Sequence, residues 1–303
     1  MLSKLDDFYL TAEELDASPS RNDGVSSQVE AQLRHYGCDL IQQAAIALNL
    51  PQAVSATAQV LLQRFYCKKS LLAFDIKVIA VAVTWLACKL EEVLEIDKPD
   101  KLRFRDVLTC LHRLICRHEH VPNPPILDPH SNLYQDIKAA VVWGERHILR
   151  AFGFIVSVEH PHRFALTFGQ LLDLDHQVLQ QAWALCNDSL RTTLCVKYKA
   201  EVVACGVLFT ACKMCGVGMP EQSGEEWWLL FDIEKSALLD VWGGLQELYC
   251  RSRPVYIVLK QDIIKATVPA AGGVDNNIII NNNKSKPPPL PPPLQQQQQR
   301  KVG

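Results

Sequence analysis

Two stretches of this chain can be laid over each other without a gap: residues 77–90 (KVIAVAVTWLACKL) and residues 201–214 (EVVACGVLFTACKM). Val202, Ala204, Val207, Ala211, Cys212 and Lys213 repeat Val78, Ala80, Val83, Ala87, Cys88 and Lys89. The first stretch sets Ile79, Ala80, Val83, Leu86, Ala87 and Leu90 at helical i, i+3, i+4, i+7 spacing, while Val78, Val81, Ala82 and Trp85 fill the opposite side. A helix that is apolar all round belongs at the centre of a domain. Two such helices this far apart mean a duplicated domain, since the period is too long for a solenoid.

Amphipathic runs surround the first copy at Gly37–Leu48, Gln52–Tyr66, Phe104–Ile115 and Leu133–Phe152. The second copy has His176–Leu190 before its central helix and Ile233–Cys250 after it. Pro51 suits a helix start, Pro122 to Pro129 interrupts the chain, and Gly153 follows a last turn carrying Arg146, His147 and Arg150. Strand-like alternation is confined to Phe154–Val158, between the copies. The expected fold is all-α, two tandem five-helix bundles with flexible N- and C-terminal tails. The 303-residue length, 48% hydrophobic, supplies a core for each bundle. The expected boundaries are a flexible segment at 1–27, a first bundle over 28–155, a second over 156–260, and a low-complexity Asn/Pro/Gln tail over 261–303.

A net charge of −2 lacks the broad positive footprint of a nucleic-acid binder, so the expected partner is a protein. The 11 cysteines are odd in number and sit in apolar helical runs, as at Cys88, Cys186 and Cys205, with no cleavable signal before them. A reducing, intracellular setting is expected. The longest apolar run, Val78–Cys88, falls far short of the roughly 20 residues that span a bilayer, so no membrane segment is expected. The proline tract Pro287–Pro289 and Pro291–Pro293 could serve as a polyproline ligand for SH3- or WW-type domains.

No catalytic constellation is visible. There is no glycine-rich phosphate loop, no Gly-x-Ser-x-Gly elbow and no His-Glu-x-x-His helix, and His112-Arg113-Leu114 lacks the aspartate of a kinase catalytic loop. Neither an enzyme nor a cofactor site is expected. Cys212 and Cys215 have zinc or redox spacing but stand without a second Cys or His pair, and read as core cysteines. His112, His118, His120 and His130 read as solvated loop histidines rather than metal ligands. Lys101, Arg103, Arg105, Arg113 and Arg117 form a positive stretch, read as a solvated helix face, with an acidic-peptide or phosphate site as the alternative. Lys89 closes the central helix and Glu145 follows Trp143-Gly144 on a later one; spacing alone leaves both open to a plain surface role.

The run Ala87-Cys88-Lys89-Leu90-Glu91-Glu92 resembles the cyclin box, with Leu62-Gln63-Arg64-Phe65-Tyr66 before it and Gly144-Glu145-Arg146-His147-Ile148-Leu149-Arg150-Ala151-Phe152-Gly153-Phe154 after it. Gly37-Cys38-Asp39-Leu40-Ile41-Gln42, Pro125-Ile126-Leu127-Asp128, His160-Pro161-His162, Asn187-Asp188-Ser189-Leu190-Arg191-Thr192 and Trp227-Trp228-Leu229-Leu230-Phe231 are similar to cyclin L in particular. The likeness runs over about residues 28–260. It implies two cyclin boxes and a regulatory subunit that binds and activates a cyclin-dependent Ser/Thr kinase, nuclear, in RNA polymerase II transcription and pre-mRNA processing. Lys89 and Glu145 match the pair that grips the kinase beside its regulatory helix. Leu86, Leu90, Leu149 and Phe152 are the apolar candidates for the same contact, internal packing being the alternative for each.

The sequence departs from that pattern in three places. Val93 to Pro99 is longer and more acidic than the family pattern, Gly144 lies inside a helix, and the arginine–serine tail of animal cyclin L is replaced by proline and glutamine tracts. The competing reading is a two-repeat scaffold like the general transcription factor that recruits the polymerase. It calls for an N-terminal zinc ribbon, and no cysteine precedes Cys38.

Overall fold

The computed structural model describes residues 8–93, 102–218 and 227–259, so the acidic insertion after Val93 and the tail from 260 lie outside the described residues. Two short helices, α1 (Ala12–Asp16) and α2 (Pro19–Asn22), precede a first bundle of α3 (Ser27–Ala47), α4 (Gln52–Lys68), α5 (Ile76–Leu90), α6 (Phe104–His118) and α7 (Asn132–Ala151). The second bundle contains α8 (Pro161–Leu171), α9 (His176–Ser189), the single-turn α10 (Leu194–Lys197), α11 (Ala200–Cys215) and α12 (Lys235–Cys250), with a 3-10 turn at Trp227–Phe231. No strand occurs among the described residues. Phe154 lies in the turn after α7 with a left-handed φ of 63°, and residues 155–158 are coil, held where Arg64 donates to the Ser157 carbonyl at 3.0 Å.

The repeated stretches are α5 and α11, and each is the hub of its bundle. Helix α5 packs on α3, α4, α6 and α7, and α11 packs on α8, α9 and α12. Local chemistry sets their ends. The Asp75 carboxylate caps α5 by accepting the Lys77 N–H at 2.8 Å, and Ser131 caps α7 through the Tyr134 N–H at 3.2 Å. Helix α11 stops at Gly216, whose φ of 69° is left-handed backbone that glycine adopts without strain.

Helix α3 begins ten residues before the apolar pattern suggested. Its first half turns a charged pair inward: Arg34 binds Glu30 at 2.7 Å, both side chains about 5% exposed or less, and donates to the Gln63 carbonyl at 2.9 Å. Charges on the buried face hide the periodicity. Glu30 also accepts from Ser18 at 2.8 Å and Arg21 at 3.2 Å. That bonding ties residues 18–21, within the expected N-terminal segment 1–27, to the first bundle. Phe8 is buried edge-on against Phe152 at 5.7 Å, the Leu10 N–H donates to the Val196 carbonyl at 2.8 Å, and buried Ser20 accepts the Leu71 N–H at 3.0 Å.

The bundles meet along α4. Ala56 and Val60 pack on Leu190, Gln52 donates to Asn187 at 2.7 Å, and Cys38 lies 3.7 Å from the Leu190 carbonyl.

Candidate functional site

At the C-terminal end of α5 the Lys89 ammonium pairs with the Glu145 carboxylate on α7, bringing together two residues 56 positions apart. Close helix approach makes this possible. A Cβ added to Gly144 would stand 3.3 Å from the Ala82 Cβ and 3.5 Å from Ile79, so the glycine that weakens α7 locally also lets it press against α5. Lys89 lies over the Trp85 ring at 5.6 Å, and Trp85 packs on Phe104 of α6 at 4.8 Å. The lysine side chain is 37% exposed and the glutamate 14%, so the pair is fixed from beneath and open above. An ammonium has three donors and a carboxylate two accepting oxygens, so hydrogen-bonding capacity remains for a further chain.

Of the apolar candidates, Leu90 is 36% exposed and Leu149 half-buried, and both border the pair. Leu86 and Phe152 are corrected: at 4% and 3% exposure they belong to the first core and offer no surface. Leu86 faces into the bundle, and Phe152 is capped by Phe8. Val142, 42% exposed and three residues before Glu145 on the same face of α7, is an open apolar neighbour that the sequence reading passed over. Its signal was an apolar residue on the stripe that continues through Glu145 to Leu149.

A partly buried polar chain starts two residues beyond Lys89. The Thr57 hydroxyl donates to the Glu91 carboxylate at 2.6 Å, and Glu91 caps the end of α5. Having given away its one proton, that hydroxyl accepts at 2.9 Å from His160, the residue that opens α8. Burial, with the nearby His162 and Arg64 charges, pulls the His160 pKa down to about 4, so the ring is neutral and carries its proton on Nε2. The Lys89 end of α5 is thereby braced by the second bundle.

In the second copy Lys213 sits over Phe209 at 5.5 Å, as Lys89 sits over Trp85. The mimicry stops there: Lys213 has no carboxylate partner among the described residues, and Met214 beside it is 58% exposed. Sequence repetition copied the lysine but not its partner.

The other candidates resolve separately. Cys212 is a core residue whose thiol burial pushes up to about 11, and all 11 cysteines are unpaired. His120 and His130 are exposed in the loop, whereas His112 and His118 are on α6, half-buried, with His112 near the Cys116 thiol at 3.7 Å and His118 on Gln43 at 3.0 Å. That is a correction for two of the four. Among the described residues no three His, Cys, Asp or Glu side chains are grouped to hold a metal, and no helix is long and apolar enough to cross a membrane.

Two five-helix bundles, each threaded by a buried central helix with a lysine in its last turn, and among the described residues an ion pair at that lysine in the first bundle alone, define a tandem-box helical protein. The family "Cyclin, N-terminal domain" matches residues 7–121, and "Cyclin-T2-like, C-terminal domain" matches residues 160–247. Cyclin-L1-1 of Arabidopsis thaliana is 46% identical over 258 residues, 85% of this chain and 60% of the relative. Cyclin-L1 of Homo sapiens is 34% identical over 267 residues, 87% of this chain and 48% of the relative. The chain thus spans about half to three-fifths of the length of these relatives. Among solved structures, the fold is similar to a chain of the yeast RNA Pol II CTD kinase CTDK-1 complex, with a TM-score of 0.64 at 14% identity, covering 85% of this chain and 81% of that one. A chain of the yeast TFIIK complex gives 0.52 at 17% identity, covering 80% and 95%. This chain belongs to the cyclin family and is similar to cyclin L.

Proposed function

We propose that this chain is the regulatory subunit of a cyclin-dependent Ser/Thr protein kinase, without catalysis of its own, acting in the nucleus in RNA polymerase II transcription and pre-mRNA processing. The observation that carries the reading is the Lys89–Glu145 pair, fixed between α5 and α7 and bordered by Leu90, Leu149 and Val142. A protein kinase works only when its strand lysine pairs with a glutamate on its mobile helix, so a surface that favours the inward position of that helix turns the enzyme on. Lys89 and Glu145 offer charge-assisted bonds to backbone groups of the segment leading into the helix, and the three apolar neighbours offer it a dry seat.

Magnitudes assign the work. Shifting a kinase from 1:99 to 99:1 takes about 5.5 kcal/mol of preference for the active state. A hydrogen bond to a charged group contributes roughly 1.5–3 kcal/mol, and only the part of it that differs between the two kinase states shifts their balance, so the anchors need apolar help. At about 25 cal/mol per Å², roughly 100 Å² buried only in the active state adds about 2.5 kcal/mol. The proline tract, outside the described residues, is proposed as a separate polyproline ligand.

The reading is tested by co-expressing the full chain with transcriptional cyclin-dependent kinases. A stoichiometric complex with at least a 100-fold rise in phosphorylation is expected with one of them. Purification of the chain alone from all of them contradicts the reading.

A further inference from the structure

The positive stretch on α6 has an arrangement that the kinase reading leaves unused. Arg105, Thr109, Arg113 and Arg117 follow one another at i+4 intervals, which places them in one row along the helix. That row forms a wall of an open groove of about 610 Å³, whose other sides are the end of α3, at Ala47 and Leu48, and the loop at Leu127 and Pro129. Arg113 and Arg117 are exposed, and neither has a carboxylate partner among the described residues. Asp106, the one acid lining the groove, is engaged by the Arg103 N–H at 3.0 Å and by Arg105 at 3.8 Å. Asp128 on the loop turns back to accept the His130 N–H at 3.0 Å.

A second groove, of about 450 Å³ between the bundles, supplies the contrast. It too is lined by Arg21, Arg34, Arg191, Lys197 and Arg251, yet each of these is paired, with Glu30, Glu30, Asp188, Asp240 and Glu247 respectively. Its charges hold the protein together. On α6 Arg105 reaches Asp106, while Arg113 and Arg117 are exposed with no carboxylate partner among the described residues.

We propose that the α6 groove binds an extended, multiply phosphorylated peptide segment of a partner protein. All its cations are arginines, whose planar forks match phosphate oxygens in pairs. Along the helix Arg113 and Arg117 are about 6 Å apart and Arg105 about 12 Å from Arg113. An extended peptide advances about 3.3 Å per residue, so phosphates two or four residues apart fall in register with them. Leu48 and Pro129, both half-buried, give the peptide's intervening residues an apolar seat. No aromatic side chain lines the groove for bases to stack on, which disfavours single-stranded RNA as the occupant. The site uses none of the residues around Lys89 and Glu145.

The test is fluorescence anisotropy with the full chain and a labelled twelve-residue peptide carrying two phosphoserines four residues apart, against its unphosphorylated form and a single-stranded RNA of equal charge. The phosphopeptide is expected to bind at least tenfold more tightly than either. Arg113→Ala/Arg117→Ala is expected to weaken it at least tenfold with the thermal midpoint unchanged, while Lys213→Ala leaves it as it was. No binding, equal binding of the unphosphorylated peptide, tighter binding of the RNA, or an equal loss in Lys213→Ala would each overturn the proposal.

Discussion

Gly144 on α7 faces Ala82 on α5 so closely that a methyl group on the glycine would stand 3.3 Å from that of the alanine. The site depends on this approach, because it brings Glu145 within reach of Lys89. Gly144→Val adds three carbons where the packing has room for little more than a hydrogen. A loss of about 1–3 kcal/mol of stability is expected from overpacking, read as a lower urea midpoint. A midpoint equal to that of the parent would show that the helices are not in tight contact.

Glu30 connects Arg34, Arg21 and Ser18, and so holds both the first turns of α3 and the N-terminal segment. Glu30→Ala leaves a buried guanidinium without its carboxylate. The expected loss is about 3–5 kcal/mol, seen in chemical denaturation, with residues 8–26 becoming protease-sensitive. Replacing Glu30 and Arg34 together by apolar residues should recover a large part of that loss.

His160 gives the junction a pH dependence. Its folded pKa of about 4 lies below the ordinary value of 6.5, so between these two pH values the unfolded chain takes up the proton and the folded one does not. Its contribution is fully present above about pH 6.5 and is lost as pH falls toward 4, by up to roughly 1.4 kcal/mol per pH unit. His35, His112 and His162 are shifted the same way by burial, so the informative quantity is a difference. The parent should lose more stability than His160→Gln between pH 7 and pH 5. Parallel curves would show that His160 is not buried against Thr57.

Cys250 is exposed, while Cys38, Cys88, Cys186, Cys205 and Cys212 are buried, the thiols of Cys88 and Cys212 pushed up to about 11 and that of Cys205 to about 12. A thiol reagent should label Cys250 within minutes and spare these five until the chain unfolds, as mass spectrometry of peptides would show. Rapid native labelling of Cys212 would revive a redox role for the Cys212-x-x-Cys215 spacing.

The central helices were legible because an unbroken apolar surface has one physical use, and the end of α7 was legible from Gly153. The start of α3 was not, because Glu30 and Arg34 satisfy each other inside the fold and read as surface in a one-dimensional pattern. Helix α8 was passed over although Pro161 marks its first turn. At the site, the resemblance located Lys89 and Glu145, but periodicity could not tell which leucines beside them face outward. Leu86 and Phe152 point into the core, and only the packing of α5, α7 and Phe8 decides it. The likeness of Lys213 to Lys89 was equally visible, and its missing partner was not.

The central claim is that Lys89 and Glu145 hold a kinase and that Lys213 does not. The most direct measurement is the dissociation constant of the purified kinase complex for the parent, Lys89→Ala, Glu145→Ala and Lys213→Ala. Each of the first two should weaken binding by about 2–5 kcal/mol, roughly 30-fold or more, and lower kinase activation with it, while Lys213→Ala matches the parent. Unchanged affinity in both Lys89→Ala and Glu145→Ala would contradict the account.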